Sequence, residues 1–229
     1  MRVITATLLT VGALACSAPA PTAQQSAPQP AVSQTPAAPQ DAARATGSLP
    51  DGWKARLDDA AAKPDAVRVA DEKNSLAFTT GPAGIYYKPD MKAEKDYTLS
   101  ATFSQLKPST EPQPYGLFVA GAGLDTDTPR YTALVIRSDG KYQIESRTGT
   151  QTRVIVPWKA AVQMREPKGV KTSNTLTIRA LQSGVHFLIG DKEVHQMPRA
   201  RAGADGIAGV RIGSGLNVQV NGLEVKKFP

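Results

Sequence analysis

Short runs of alternating apolar and polar residues, separated by tight turns, constrain this chain most. Between Asn174 and His195 three such runs follow one another. A period of two places apolar side chains on one face of a strand and polar side chains on the other. Ser183-Gly184 and Gly190-Asp191 separate the runs, and Gly-Asp suits a hairpin because glycine accepts a positive φ. The stretch therefore predicts three antiparallel strands joined by two turns.

The same pattern recurs from Leu49 to Pro229. A short helix is predicted over Lys54–Ala62, stopped before Pro64. Tyr115–Ala120 is apolar on both faces, which predicts a central strand. Other strands are predicted at 67–69, 76–78, 84–88, 97–103, 131–137, 141–147, 154–156, 207–212 and 216–225. About a dozen short strands with little helix predict an all-β fold, in which two antiparallel sheets pack as a β-sandwich.

One hairpin carries a definite register prediction. Asp139-Gly140 is the dipeptide typical of a type I′ turn. A turn at that position sets Val135 opposite Ile144 and Arg137 opposite Tyr142.

The start of the chain resembles an export signal. Val3–Leu14 is apolar but shorter than the roughly 20 residues that a membrane-spanning helix needs. Ala13-Leu14-Ala15-Cys16 resembles the lipobox of bacterial lipoproteins, although Ala13 stands where that box prefers Leu. In that family the cysteine is lipidated and becomes the mature N-terminus, which implies a signal peptide over 1–15. The alternative is ordinary cleavage after Ala15, which leaves Cys16 as a free thiol.

This resemblance implies an exported protein that is anchored to a lipid bilayer through acylated Cys16. Ser17 after the cysteine implies transfer to the outer membrane if the source is diderm. Residues 17–48 consist mainly of Ala, Pro, Gln, Ser and Thr, with Val32 as the only large apolar residue, so they cannot bury enough surface to fold. The sequence therefore divides into a signal peptide (1–15), a lipidated cysteine with a disordered tether (16–48) and a β-sandwich domain (49–229).

Composition excludes several classes of protein. Cys16 is the only cysteine, so the chain has no internal disulfide. The net charge of +7 is spread without any run of Lys or Arg longer than two, which argues against a nucleic-acid partner. The excess favours a soluble basic surface. An anionic partner, such as a charged polysaccharide or a lipid surface, is the alternative.

The order of the strand motifs resembles the concanavalin A-like jelly roll. Among its members, the laminin-G-like and 3-keto-disaccharide hydrolase-type domains are the most similar, over about Ser75 to Lys226. The motifs are Tyr97–Phe103, Gly116–Val119, Ile136–Tyr142, Val156–Trp158, Asn174–Ile178, the 185–195 hairpin and Gly206–Val210. Lectins, glycosidases and adhesion modules share this fold, so the resemblance implies an architecture more than a function.

Glycosidases of this fold carry a Glu-x-Asp-x-x-Glu strand, because retaining hydrolysis needs a carboxylate nucleophile and a nearby acid. The nearest match, Glu94-Lys-Asp96-Tyr-Thr-Leu99, has Leu99 in place of the acid. Leu99 is therefore expected in the core, and hydrolysis by that mechanism is not expected.

Two acidic residues form a candidate metal site. Asp125 and Asp127 could offer oxygen ligands to Ca²⁺, which some laminin-G-like domains bind at the rim of the sandwich. The alternative is an ordinary polar loop, because Asp and Thr favour turns. No other cofactor is expected.

The two histidines form a second candidate site. A two-residue turn at Gly190-Asp191 would set His186 directly opposite His195, with Cβ atoms about 5 Å apart. Both imidazoles would then share a face with Leu188 and Glu193, as part of a ligand or transition-metal site. The alternative is a partly exposed cross-strand pair, since two histidines alone make a weak metal site.

Aromatic side chains are candidates for stacking on sugar rings. Alternation places one of Tyr86 and Tyr87 inside the sandwich and the other outside, and Trp158 follows a proline at a strand end. Tyr87 and Trp158 are the candidates, with packing at the core or rim as the alternative for Trp158.

Together these features predict a membrane-anchored, non-catalytic module of the cell envelope that binds a glycan or a protein partner. Two alternatives stay open: a carbohydrate-active enzyme, as the resemblance to 3-keto-disaccharide hydrolase-type domains would allow, and a purely structural envelope lipoprotein.

Overall fold

The computed structural model describes residues 49–63, 67–162, 164 and 172–228. The signal peptide, lipobox and tether predicted for residues 1–48 lie outside this range. The strands are β1 (Lys54–Leu57), β2 (Val67–Glu72), β3 (Ser75–Thr80), β4 (Gly84–Ala93), β5 (Tyr97–Gln105), β6 (Tyr115–Ala122), β7 (Arg130–Ile136), β8 (Lys141–Thr148), β9 (Gln151–Ala160), β10 (Thr172–Leu181), β11 (Gly184–Ile189), β12 (Lys192–Met197), β13 (Gly206–Ile212) and β14 (Asn217–Lys227). A one-turn helix, α1 (Arg199–Ala202), precedes β13. No helix in the described part of the chain is long and apolar enough to cross a bilayer.

The strands form two antiparallel sheets of seven strands each, which confirms the predicted sandwich. The first sheet has the order β1-β4-β13-β6-β7-β8-β9, and the second has the order β12-β11-β10-β5-β14-β3-β2. The apolar strand β6 is the central strand of the first sheet, as its sequence predicts.

The main core lies between the two sheets. Inward-pointing residues such as Phe78, Phe103, Leu117 and Phe187 are fully buried there. Tyr86 points into this core, whereas its neighbour Tyr87 points to the opposite side of the first sheet. Alternation along β4 therefore separates the two tyrosines as predicted.

The predicted helix over Lys54–Ala62 is wrong. Lys54–Leu57 is instead the edge strand β1, which pairs with Gly84–Tyr87 of β4. Tertiary pairing with an existing sheet outweighs the weak local preference of four residues for helix. The chain then turns, with the Asp59 carboxylate accepting a hydrogen bond from the Ala61 N–H.

The predicted register of the β7–β8 hairpin is also wrong, by one residue. Val135 pairs with Gln143 and Ile136 pairs with Tyr142, so neither Val135–Ile144 nor Arg137–Tyr142 is a pair. The Arg137 N–H donates to the Lys141 carbonyl, which leaves a loop of three residues rather than two. Gly140, at φ +77°, supplies the left-handed position that such a loop requires.

Candidate functional site

The outward side of the first sheet carries a second apolar cluster. Aromatic and aliphatic side chains from β4, β6 and β7 meet there, and we call this side the aromatic face. Its buried members are Ile85, Tyr87, Phe118, Leu124, Tyr131, Ala133 and Val135, with Trp158 and Ile207 packed partly buried against them. An outward sheet surface that is apolar and largely covered is unusual for an antiparallel sheet, whose outer side is commonly polar.

Phe118 lies at the centre of the aromatic face. Its ring centroid is 5.4 Å from that of Tyr131 and 6.5 Å from that of Tyr87, within the range of favourable aromatic pairs. A side chain at Gly209, its cross-strand partner, would place a Cβ only 2.7 Å from the Phe118 ring. The glycine therefore makes room for the phenylalanine.

Trp158 lies at the edge of the aromatic face. It is partly buried, and the Arg137 guanidinium lies 4.1 Å from its ring centroid, in a cation–π arrangement. Trp158 thus lies at the rim of the face, a position that both sequence interpretations allow.

The β6–β7 loop folds over one end of this face. Leu124 is only 2% exposed. The Asp125 carboxylate accepts hydrogen bonds from Lys54 Nζ at 2.8 Å and the Tyr87 hydroxyl at 3.0 Å. Those two hydrogen bonds lower the pKa of Asp125, while burial and the hydrogen bond to Asp125 raise the pKa of Tyr87 to about 12. Arg56 Nη1 holds the same loop in place by donating hydrogen bonds to the backbone carbonyls of Leu124 and Thr126.

A charged cluster stands beside the aromatic rings, and we define it as Asp58, Glu145, Arg147 and Arg211. The Asp58 carboxylate accepts one hydrogen bond from Arg147 Nη1 at 2.8 Å and another from Arg211 Nη2. Arg147 lies on β8 and Arg211 on β13, with two strands between them. Both guanidiniums therefore converge on one carboxylate over the aromatic face.

Burial changes the acidity of the groups in and around this cluster. Desolvation raises the pKa of Glu145, against the opposing effect of the positive charge on Arg211. Desolvation likewise raises the pKa of the Tyr131 hydroxyl. Displaced pKa values of this kind occur at functional sites and also in structural ion-pair networks.

The outward side of the second sheet has a different character. Outward positions of β5 and β10 carry hydroxyl groups, and we call this side the hydroxyl face. These residues are Thr98, Ser100, Thr102, Ser104, Ser173, Thr175 and Thr177. Cross-strand hydroxyl pairs bond one another, with Thr102 2.8 Å from Thr175 and Ser104 2.6 Å from Ser173. A depression of about 420 Å³ lies over part of this face.

The predicted pairing of His186 with His195 is wrong. The turn pairs Ile189 with Lys192 and Leu188 with Glu193 as predicted, but a bulge at Val194 then shifts β12 by one residue. His195 consequently pairs with Phe187. A one-residue shift sends a side chain to the other face of a sheet, so the two imidazoles lie on opposite sides. The Val194 carbonyl accepts a hydrogen bond from the Tyr142 hydroxyl at 3.1 Å.

Each histidine has its own surroundings. His186 shares the hydroxyl face with Glu193, and its Nδ1 lies 2.8 Å from the Glu193 carboxylate. His195 lies near Phe187, with ring centroids 6.2 Å apart, and desolvation lowers its pKa. The structure therefore does not bring the two histidines together as one site.

The other sequence-predicted positions have separate locations. Asp125 is held by Lys54 and Tyr87, whereas Asp127 is exposed in the same loop. Over the residues that the structure describes, no group of three or more metal-ligating side chains occurs. Leu99 is fully buried in the main core, which confirms its predicted role. Cys16 lies outside the described range.

Sequence reasoning missed the charged cluster altogether. A signal for it exists in β13, where Arg211 interrupts the otherwise apolar and small run Gly206–Ile212. A charged residue in such a strand must be buried with a partner or aimed into a site. Its partner Asp58 is 153 residues away in sequence, a distance that pattern reading cannot bridge.

Comparisons with known proteins support the fold. No protein-family model matches the sequence, and a comparison with curated proteins finds no match. Among solved structures, the carbohydrate-binding module CBM66 from Bacillus subtilis matches with a TM-score of 0.56 and 11% identity, over 77% of this chain and 96% of that one. A Bacillus subtilis protein of unknown function with a galectin-like fold matches with a TM-score of 0.54 and 13% identity, over 76% of this chain and 89% of that one.

A native glycosidic hydrolase matches with a TM-score of 0.52 and 11% identity, over 80% of this chain and 93% of that one. At such low identity these similarities show the architecture alone. The sandwich is a concanavalin A-like jelly roll, as the strand order predicts.

Proposed function

We propose that this chain is a glycan-binding module that holds a saccharide against its aromatic face. The observation that carries the proposal is the partly exposed ring of Trp158 beside the charged cluster, at the edge of the buried aromatic rings. Saccharides present apolar ring faces together with polar groups, so a site for them combines aromatic surface with a few well-placed polar side chains. The similarity in fold to a carbohydrate-binding module and a glycosidic hydrolase supports the same class of ligand.

We assign the direct contacts with the saccharide to Trp158, Glu145 and Arg147. All three are partly exposed at the edge of the covered cluster, where a ligand could reach them. Tyr87 and Phe118 are too deeply buried for direct contact and support the face from beneath.

A glycan array probed with the full chain tests this function. We expect binding to a restricted set of saccharides, and we expect Trp158→Ala to weaken it roughly tenfold or more. Thr175→Ala, on the hydroxyl face, is the matched control and should bind as the wild type does. If no saccharide binds, the proposal fails and a purely structural role is favoured. If Thr175→Ala is the variant that loses binding, the assigned face is wrong.

A second candidate, a carbohydrate-active enzyme, has one observation in its favour. Burial raises the pKa of Glu145, as glycosidases require of a carboxyl that protonates a leaving group, and Asp58 is a second carboxylate in the same cluster. Incubation with a disaccharide library, followed by chromatography, tests this candidate. Product that forms with the wild type and is lost in Glu145→Gln would support catalysis.

We also propose that the module is exported and held at the cell envelope by a lipid on Cys16. The support is the lipobox-like Ala13–Cys16 segment and the polar tether after it. Radiolabelled palmitate should enter the protein when it is produced in a bacterial host and should be absent from Cys16→Ala. Equal labelling of both proteins, or of neither, would contradict the anchor.

A further inference from the structure

Arg211 has more hydrogen-bonding capacity than the described residues satisfy. Its side chain is only 9% exposed. Nη2 donates to Asp58, whereas Nε and Nη1 are buried without a hydrogen-bond partner among the described residues. Buried guanidinium nitrogens normally have partners, because an unmet charged donor is costly. Two donors on one buried arginine are therefore left for an acceptor that the described residues do not supply.

The partner that Arg211 does have is shared. Asp58 also accepts a hydrogen bond from Arg147, so one carboxylate serves two guanidiniums. The Asp58 side chain is 31% exposed, whereas those of Arg147 and Arg211 are 17% and 9% exposed. The acceptor in this arrangement is thus its most accessible member, and an external acceptor could approach from the same side.

The balance of charge on the aromatic face is positive. Lys54 pairs with Asp125 and Arg137 pairs with Asp139 at its edge, so these two pairs are neutral. Of the remaining groups, Arg56, Arg147 and Arg211 are cationic and only Asp58 and Glu145 are anionic. Arg56 is engaged with backbone carbonyls rather than with a carboxylate. One further negative charge would balance the three guanidiniums.

We propose that the saccharide bound at the aromatic face carries a carboxylate, as a uronic acid does, and that Arg211 and Arg147 select it. This inference rests on the proposed glycan-binding function and adds the chemical class of the ligand. A guanidinium presents parallel N–H groups that match the two oxygens of a carboxylate, and such charge-assisted pairs are among the stronger hydrogen bonds in proteins. A neutral sugar would leave the excess positive charge in place.

Matched pairs of oligosaccharides test this proposal in the full chain. The probes are trisaccharides of galacturonate, glucuronate and mannuronate, each beside its neutral counterpart of galactose, glucose or mannose. Calorimetric titration should show at least one acidic member binding roughly tenfold or more tightly than its neutral counterpart, with affinity falling as salt is added. Equal or tighter binding of the neutral members would overturn the carboxylate inference and leave glycan binding intact. Binding to none of the probes and to no saccharide on the array would overturn the glycan-binding function itself.

Two variants separate ligand recognition from a purely structural role. Arg211→Lys retains a positive charge but loses the planar guanidinium. It should therefore weaken binding of the acidic trisaccharide roughly tenfold and leave binding of the neutral one unchanged. Asp58→Asn removes the internal competitor for both guanidiniums. It should tighten binding of the acidic trisaccharide roughly threefold or more while lowering the melting temperature.

Arg179→Gln, which removes an exposed arginine from the second sheet, is the control for net charge and should change neither affinity. If Asp58→Asn weakens acidic and neutral trisaccharides equally, the cluster only supports the fold and the proposal is wrong. This readout stays decisive even if Arg211→Lys fails to fold.

Discussion

The two outward faces of this sandwich follow the same rule of strand alternation but have opposite chemistry. The hydroxyl face is made of Ser and Thr side chains, of which Thr102 and Thr175, and Ser104 and Ser173, bond one another. The aromatic face buries Phe118 and Tyr131 beneath the β6–β7 loop and the charged cluster. A polar outward face needs no cover, whereas an apolar one is stable only when something packs on it. The comparison thus separates a solvated surface from one built to be covered and, as we propose, to bind.

The largest expected effect is on stability, from truncation at the centre of the aromatic face. Phe118→Ala should lower the free energy of unfolding by about 3–5 kcal/mol, because it removes a buried ring and leaves a cavity between Tyr87 and Tyr131. Thr102→Ala, at the centre of the hydroxyl face, should cost about 1 kcal/mol or less. Urea denaturation measures both. Similar costs for the two variants would remove the distinction between the faces.

The next largest effect concerns the charged cluster, in which Asp58 accepts hydrogen bonds from two arginines. Asp58→Ala should lower the free energy of unfolding by about 2–3 kcal/mol, because it leaves the guanidiniums of Arg147 and Arg211 without their shared acceptor. The control is Glu224→Ala, which breaks an exposed ion pair with Lys226 on the second sheet and should cost less than about 1 kcal/mol. Thermal unfolding at low and high salt should show that only the control pair is screened. If Asp58→Ala lowers the free energy of unfolding no more than Glu224→Ala does, the ion pairs of Asp58 with Arg147 and Arg211 are not buried as described.

The contribution of Glu145 to stability should fall as pH rises, as expected of a buried carboxyl. Burial raises the pKa of Glu145 above its ordinary value of 4.5, against the positive charges of Arg211 and Arg147 and together with the negative charge of Asp58. The folded form then binds protons more readily than the unfolded form. The contribution of Glu145 to the free energy of unfolding is therefore most favourable below about pH 4.5 and is lost as pH rises through the raised pKa.

Glu145→Gln removes that contribution. The free energy of unfolding of the wild type minus that of Glu145→Gln should fall as pH rises through this window, measured by urea denaturation at several pH values. Asp125, whose pKa is lowered by Lys54 and Tyr87, has the opposite sign, so Asp125→Asn serves as the contrasting variant. A wild-type-minus-Gln difference that rises with pH would contradict the burial of Glu145.

The smallest expected effect is the response to zinc. His186 lies on the hydroxyl face and His195 on the inner side of the same sheet, so they cannot chelate one ion together. Calorimetric titration of the full chain with zinc chloride should give no measurable heat at micromolar protein. A one-to-one isotherm that is lost in both His186→Ala and His195→Ala would show that the two rings meet and that the bulge at Val194 is absent.

Alternation in sequence was enough to predict the sandwich and the central position of β6. It could not predict exact registers, because each depends on a single turn or bulge. The β7–β8 loop contains three residues rather than two, and Val194 bulges β12. A shift of one residue moves side chains between faces, so a small error in a turn produces a large error in a site.

The character of each face was predictable to different degrees. Ser and Thr at alternate positions of β5 and β10 indicate a solvated face directly. The aromatic face depends on contacts between residues far apart in sequence, such as Arg211 with Asp58 and Tyr87 with Asp125. Neither partner choice nor burial can be read from local pattern. Alternation therefore misses Arg211 and marks Tyr87 as a stacking candidate, although Tyr87 is only 2% exposed and cannot contact a sugar directly.

The most direct test of the account is the location of a bound saccharide. Backbone amide signals of the full chain can be assigned by nuclear magnetic resonance and followed while a saccharide identified on the glycan array is added. We predict that the largest chemical-shift changes fall on β8, β9 and β13, around Glu145, Trp158 and Arg211. Changes concentrated on β5 and β10, around Thr102 and Thr175, would place the ligand on the hydroxyl face and contradict the account.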